Sequence, residues 1–136
     1  MSEFRVLIVD DEIDFLETLV KRLKKRKLDA VGVASGEKAL DILDRERFDV
    51  VILDVRMPGL DGIETLKEIK RRTPLTEVIM LTGHASVESG MQGMQSGAFD
   101  YVIKPAGIDD LIEKLNQARE RKLLHEERIR SDRKVP

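Results

Sequence analysis

The sequence has 136 residues, a formal net charge of −2 and no cysteine, which suits one compact domain held by a core and excludes disulfide frameworks, thiolate metal centres and cysteine nucleophiles. Its 37% charged residues are of both signs, a pattern of solvated helix faces rather than of a nucleic-acid surface. No apolar run reaches the roughly 18–20 residues that span a bilayer, and no basic region followed by a long apolar stretch opens the chain, so a cytoplasmic setting without a signal peptide is expected.

Residues 5–9 read Arg-Val-Leu-Ile-Val, a short continuous apolar run that predicts a strand covered on both faces. Ile13, Leu16, Leu19, Val20 and Leu23 follow at helical spacing. A weaker strand is predicted at 30–34, and Ser35 is placed to cap a helix carrying Ala39, Leu40, Ile42 and Leu43. Val50, Val51, Ile52 and Leu53 form the next strand; Ile63, Leu66 and Ile69 mark a third helix that Pro74 helps to end. Residues 78–81 form a fourth strand. Ser86 can cap a fourth helix, predicted to turn Val87, Met91 and Met94 inward. Its interior Gly90 and Gly93 each cost about 0.8–1 kcal/mol relative to alanine, so this helix is either marginal and easily shifted or built for close packing. A weak strand at 101–103 precedes a fifth helix with Ile108, Leu111, Ile112, Leu115 and Ala118 facing the core. Beyond Ala118 the apolar stripe thins. Residues 1–120 are expected to form the domain, and 121–136 a charged helical extension or tail. Strict alternation of strand and helix predicts an α/β fold of right-handed crossovers around a doubly wound parallel sheet.

Ligands of such sheets bind beyond the carboxyl ends of the strands. Asp10, Asp11 and Glu12 lie just past the first strand, Asp54 ends the third, Thr82 the fourth and Lys104 the fifth. Each has an ordinary explanation: acids complement a helix N-terminus, and aspartate is a turn residue. Their joint occurrence on one edge is harder to reach by turn chemistry. With the strand order 2-1-3-4-5, the first and third strands are neighbours. Crowded carboxylates repel unless a cation joins them, and a small set of hard oxygen ligands suits magnesium (Mg2+). Lys104 supplies a mobile point charge. Such an edge can stabilise phosphoryl transfer, whose catalysis is mostly positioning and charge neutralisation.

The motifs Ile8-Val9-Asp10-Asp11-Glu12, Leu53-Asp54-Val55-Arg56-Met57-Pro58-Gly59-Leu60-Asp61-Gly62, Met80-Leu81-Thr82-Gly83, Gly97-Ala98-Phe99-Asp100-Tyr101 and Lys104-Pro105 occur in this order. Over residues 4–120 the chain resembles the response-regulator receiver domains of two-component signalling. The resemblance implies a flavodoxin-like five-stranded parallel sheet of order 2-1-3-4-5 with five helices on two faces. It implies that Asp54 is the phosphoacceptor, that Asp11 and Asp54 bind magnesium directly with Asp10 acting through water, and that the backbone carbonyl of Arg56 completes the ligands. Lys104 would contact the phosphoryl oxygens, Thr82 would turn toward them, and Tyr101, the sole tyrosine, would swing into the space Thr82 leaves. Lys104-Pro105 is expected to be cis, and Arg56 and His84 to tune the lifetime of the acyl phosphate. Ala106 and Gly107 depart from the bulky aromatic and capping acid of many relatives.

The implied partners are a sensor histidine kinase or phosphotransfer protein and a downstream target or effector domain, with a phosphorylation-dependent homodimer left open. Direct nucleic-acid or membrane binding is not expected, and neither is turnover enzymology. Two other readings remain. The chain can be the detached N-terminal receiver of a larger DNA-binding transcriptional regulator. An aspartate-nucleophile phosphatase of the haloacid dehalogenase type fits less well, because Arg56 stands where that chemistry wants a general acid. The basic run at 21–27 complements a helix C-terminus. No Walker or dinucleotide fingerprint is present, and His84 and His125 form no metal spacing.

Overall fold

A computed structural model of the chain describes residues 4–55, 62–83, 87–104 and 107–134, and only the backbone of residues 82, 87–90, 133 and 134. Five strands, β1 (Arg5–Val9), β2 (Asp29–Val33), β3 (Val50–Asp54), β4 (Glu77–Thr82) and β5 (Asp100–Ile103), alternate with five helices, α1 (Ile13–Lys25), α2 (Gly36–Arg45), α3 (Gly62–Arg72), α4 (Val87–Gln95) and α5 (Ile108–Lys134). The strands form one parallel sheet in the order β2-β1-β3-β4-β5, as the resemblance implies.

Side chains alternate across the sheet, and each face has its own helices. Leu7, Val9, Val51, Leu53, Val78 and Met80 pack with Ala39, Leu40, Leu43, Leu66 and Ile69 of α2 and α3. Val6, Ile8, Val50, Ile52, Ile79 and Leu81 pack with Leu16, Leu19 and Leu23 of α1 and Leu111, Leu115 and Ala118 of α5. The central strands are therefore apolar throughout residues 6–9, 50–53 and 78–81, which is why their runs do not alternate in the sequence. Ser35 caps α2 as expected: its side chain accepts a hydrogen bond from the Lys38 amide at 3.1 Å.

Helix α4 departs from expectation. Met91 and Met94 do not face inward; they are 59% and 43% exposed. The inner position is Gly93, which is buried. A Cβ there would lie 3.1 Å from Met80 Cγ, so β4 and α4 approach closely at this glycine. Helical spacing then turns Met91 and Met94 away from the sheet. Ser86, the expected cap, lies outside the described residues.

Helix α5 runs unbroken to Lys134, and charged residues tie its second half to the foot of the sheet. Arg121 Nε lies 2.8 Å from Glu77 Oε2. Lys122 Nζ lies 3.3 Å from Asp49 Oδ1, and the Arg119 guanidinium lies 4.9 Å from the centroid of the Phe4 ring. Glu77 is buried and also faces Lys70 Nζ at 3.5 Å. Burial pulls Lys70 below the usual lysine range, and the charge and hydrogen bond of Glu77 oppose that fall. Lys70 also donates to the carbonyls of Pro74 and Thr76.

Removing one partner of a buried ion pair costs about 3–5 kcal/mol. Arg121 is partly in water and Lys70 keeps two carbonyl acceptors, so Glu77→Ala is expected to cost less, about 2 kcal/mol. Urea denaturation would measure that loss. Amide exchange should also quicken through residues 121–130, while an unchanged exchange profile would show that Glu77 does not anchor the helix.

Candidate functional site

Strand register assembles the site. Val9 pairs with Leu53, so Asp10 follows beside Asp54. Asp54 pairs with Leu81, and Thr82 with Ile103, which brings Thr82 and Lys104 to the same carboxyl edge.

Carboxylate oxygens of Asp10, Glu12 and Asp54 all lie within 4.8 Å of one another. Asp10 and Asp54 are buried, at 1% and 5% exposure, whereas Glu12 reaches in from solvent. The Lys104 ammonium lies among them, 2.9 Å from Asp10 Oδ2, 3.3 Å from Glu12 Oε1 and 3.7 Å from Asp54 Oδ2. Burial lowers the Lys104 pKa, but the hydrogen bond and charge of Asp10, with Asp54 and Glu12, outweigh it and leave the pKa raised. Lys104 is therefore a cation throughout the neutral range. The second oxygen of Asp10 accepts from the Glu12 amide at 2.9 Å, which fixes the turn from β1 into α1.

Glu12, not Asp11, joins Asp10 in this group. The chain bends at Asp11, and the hydrogen bond from the Glu12 amide to Asp10 draws residues 10 and 12 together across that bend. Asp11 is exposed and stands outside the group. The signal was present in the sequence: an acid two residues beyond Asp10 at the end of a strand.

Tyr101 is half-buried against the core on the α2–α3 face, and its neighbour across the strands is Met80. Thr82 ends β4, with its backbone paired to Ile103. Arg56, His84 and Pro105, and with Pro105 the expected cis peptide, lie outside the described residues, as does Gly59. Among the described residues, nothing lies within 4 Å of where a Cβ on Gly83 would stand.

Gly62 is required for a steric reason. A Cβ on it would fall 2.5 Å from the Asp54 carbonyl oxygen and 2.6 Å from Val55 Cα. The start of α3 is pressed against the backbone of the acid-bearing strand end, and the Gly62 amide donates to the Val55 carbonyl at 3.1 Å.

The response regulator receiver domain model matches residues 6–116, and the chain belongs to that family. It is 38% identical over 111 residues to the DNA-binding transcriptional regulator NtrC of Klebsiella pneumoniae, over 82% of this chain and 24% of that protein. It is 39% identical over 113 residues to the transcriptional regulatory protein ZraR of Escherichia coli (strain K12), over 83% of this chain and 26% of that protein. A response regulator receiver domain protein from Clostridium thermocellum superposes with a TM-score of 0.84 at 36% identity, over 88% of this chain and 97% of that chain. The chain thus spans about a quarter of the length of these two curated relatives.

The atoms that Gly62→Ala would strike are backbone, so the strand end must move. Overpacking of this kind costs about 1–3 kcal/mol, and a matching fall in the thermal midpoint is expected. Amide chemical shifts of Asp54 and Val55 should change more than those of β1, whereas a uniform or absent response would show that Gly62 is not pressed on the site.

Proposed function

We propose that the chain is a phosphorylation-dependent switch that accepts a phosphoryl group on Asp54. The observation that carries this reading is the geometry around that side chain: a buried carboxylate at a strand end, two further carboxylates within 4.8 Å and a lysine ammonium 3.7 Å away. An all-oxygen donor set already gathered around a cationic group fits a hard divalent ion. Asp54, Asp10 and Glu12 would hold magnesium, with Asp11 and the Arg56 carbonyl as the further ligands that family resemblance suggests. When bound, the ion offsets the charge of the carboxylates and of an incoming phosphoryl group. Asp54 would provide the attacking oxygen, and Lys104 would turn toward the phosphoryl oxygens. Thr82 and Tyr101 would report the change, and Arg56 and His84 would set how long it lasts.

A sensor histidine kinase or phosphotransfer protein would supply the phosphoryl group in the cytoplasm; among the described residues no helix is long and apolar enough to cross a membrane. Exposed Met91, Met94 and Ile103 on α4 and β5 support an output surface for a protein partner, homodimer included. The domain would catalyse only its own phosphorylation and dephosphorylation. A second, compatible reading is that it is the input domain of a larger transcriptional regulator. The short span of the curated relatives it covers supports this, as does an α5 that continues past the matched residues.

Incubation with acetyl phosphate and magnesium should label the chain with an acid-stable, base-labile group, and Asp54→Asn should abolish the label. Persistent labelling of that variant would overturn the assignment of Asp54. Steady multiple turnover of aryl phosphates would overturn the switch in favour of a phosphatase.

A further inference from the structure

Lys104 is held by more than carboxylates. Its ammonium lies 4.4 Å from the centroid of the Phe15 ring. Phe15 stands in the first turn of α1, directly after the acidic segment, and is half-buried against the core on the α1–α5 face. Lysine over an aromatic face is attracted by the ring quadrupole, more strongly where water is partly excluded, and the Lys104 side chain is only 16% exposed. Phe15 packs against that core without filling the space beside it. A cavity of about 60 Å³ remains beside Phe15, lined in part by Leu19, Leu81, Ile108 and Leu111.

The ring differs from the other Lys104 partners in one respect. Asp10, Glu12 and Asp54 are the oxygens that a divalent cation would claim, and hard cations take oxygen ligands. When such an ion enters, the ammonium must share or lose its carboxylates. An uncharged ring does not bind the ion and goes on holding the lysine, whose long side chain otherwise regains much rotamer freedom.

We propose that Phe15 is a positioning residue: its ring keeps the Lys104 ammonium in the acid pocket while the carboxylates are engaged elsewhere, ready for the phosphoryl oxygens. This rests on the reading of Asp54 as phosphoacceptor. As a bond forms from an Asp54 carboxylate oxygen to phosphorus, the bond to the donor breaks and its electron pair leaves with the donor. The negative oxygens of the transferring group then meet a cation already in place, which lowers the barrier electrostatically.

The test uses the full chain with Phe15→Leu, Phe15→Tyr and phenylalanine carrying one, two or three ring fluorines at position 15. The first readout is the proton shift of the Lys104 ε-methylene, which the ring current should move upfield in the parent and in Phe15→Tyr but not in Phe15→Leu. The second is the rate of labelling from acetyl phosphate at saturating magnesium. Phe15→Leu should be about fivefold slower, the fold-change that roughly 1 kcal/mol of cation–π attraction represents. Phe15→Tyr should stay near the parent rate, and the rate should fall stepwise with fluorination, which weakens the ring quadrupole and barely alters its shape. If the parent labels on Asp54 but Phe15→Leu keeps the Lys104 shift, or fluorination leaves the rate unchanged, the ring does not position the lysine. If the parent does not label, the reading of Asp54 falls and the inference falls with it.

Discussion

Carboxylates that approach within 4.8 Å repel by on the order of 3 kcal/mol per pair at an effective dielectric of about 20, and the carboxyl edge of this sheet brings three of them that close. The parallel register forces the approach: β1 and β3 end side by side, and the turn into α1 adds Glu12. One ammonium offsets the crowding. Lys104 is delivered by β5, across two intervening strand pairings, to within 4 Å of all three acids. Much of the surrounding structure serves this balance. The glycine at the start of α3 lets the backbone after β3 stay close, and burial of Asp10 and Asp54 keeps the attraction from being diluted by solvent.

Such a balance is metastable in a useful sense. A resident lysine compensates one charge among three acids, so the pocket retains a net negative charge that a divalent cation can satisfy. On the proposed reading, an arriving phosphoryl group would then restore the demand for the lysine. The surrounding carboxylates hold Lys104 above the usual lysine range, so the lysine enters such an exchange as a charged group.

The fold and the two ends of this interaction were legible in the sequence because both depend on backbone periodicity. Continuous apolar runs located the strands, and alternation with helices made them parallel, so Asp54 and Lys104 had to share an edge. What was not legible depends on side-chain direction and on contacts between distant segments. Asp10 and Glu12 converge across a bend at Asp11 that the Glu12 amide closes onto the Asp10 carboxylate, while Asp11, nearer in sequence, is exposed and outside the group. Methionines in α4 have the composition of an inward face, but a glycine occupies the contact with Met80, and helix phase is set by that contact. The second half of α5 loses its apolar stripe because its anchors are Arg121 and Lys122, whose partners Glu77 and Asp49 lie far away in the chain. Phe15 belongs to the same class: its meeting with Lys104 is a packing fact with no local pattern to announce it.

Those two helices differ in stiffness, and the difference bears on where a change at Lys104 can travel. Helix α5 begins just beyond Lys104, packs Leu111, Leu115 and Ala118 on the sheet and is clamped at the opposite edge by the ion pairs of Arg121 and Lys122. A helix fixed near both ends of its contact with the sheet yields little to a displacement at one end. Helix α4 is shorter, has two glycines within it and meets Met80 through Gly93, while Met91 and Met94 remain in solvent. Its two interior glycines lower its intrinsic helicity and hence its resistance to distortion. Beside it, Tyr101 sits half-buried against the same core group as Met80. On the proposed reading, a movement of Lys104 toward a phosphoryl group would meet the clamped α5 on one side and the glycine-bearing α4 on the other, so a shape change would be directed toward the face that carries Met91, Met94 and Ile103.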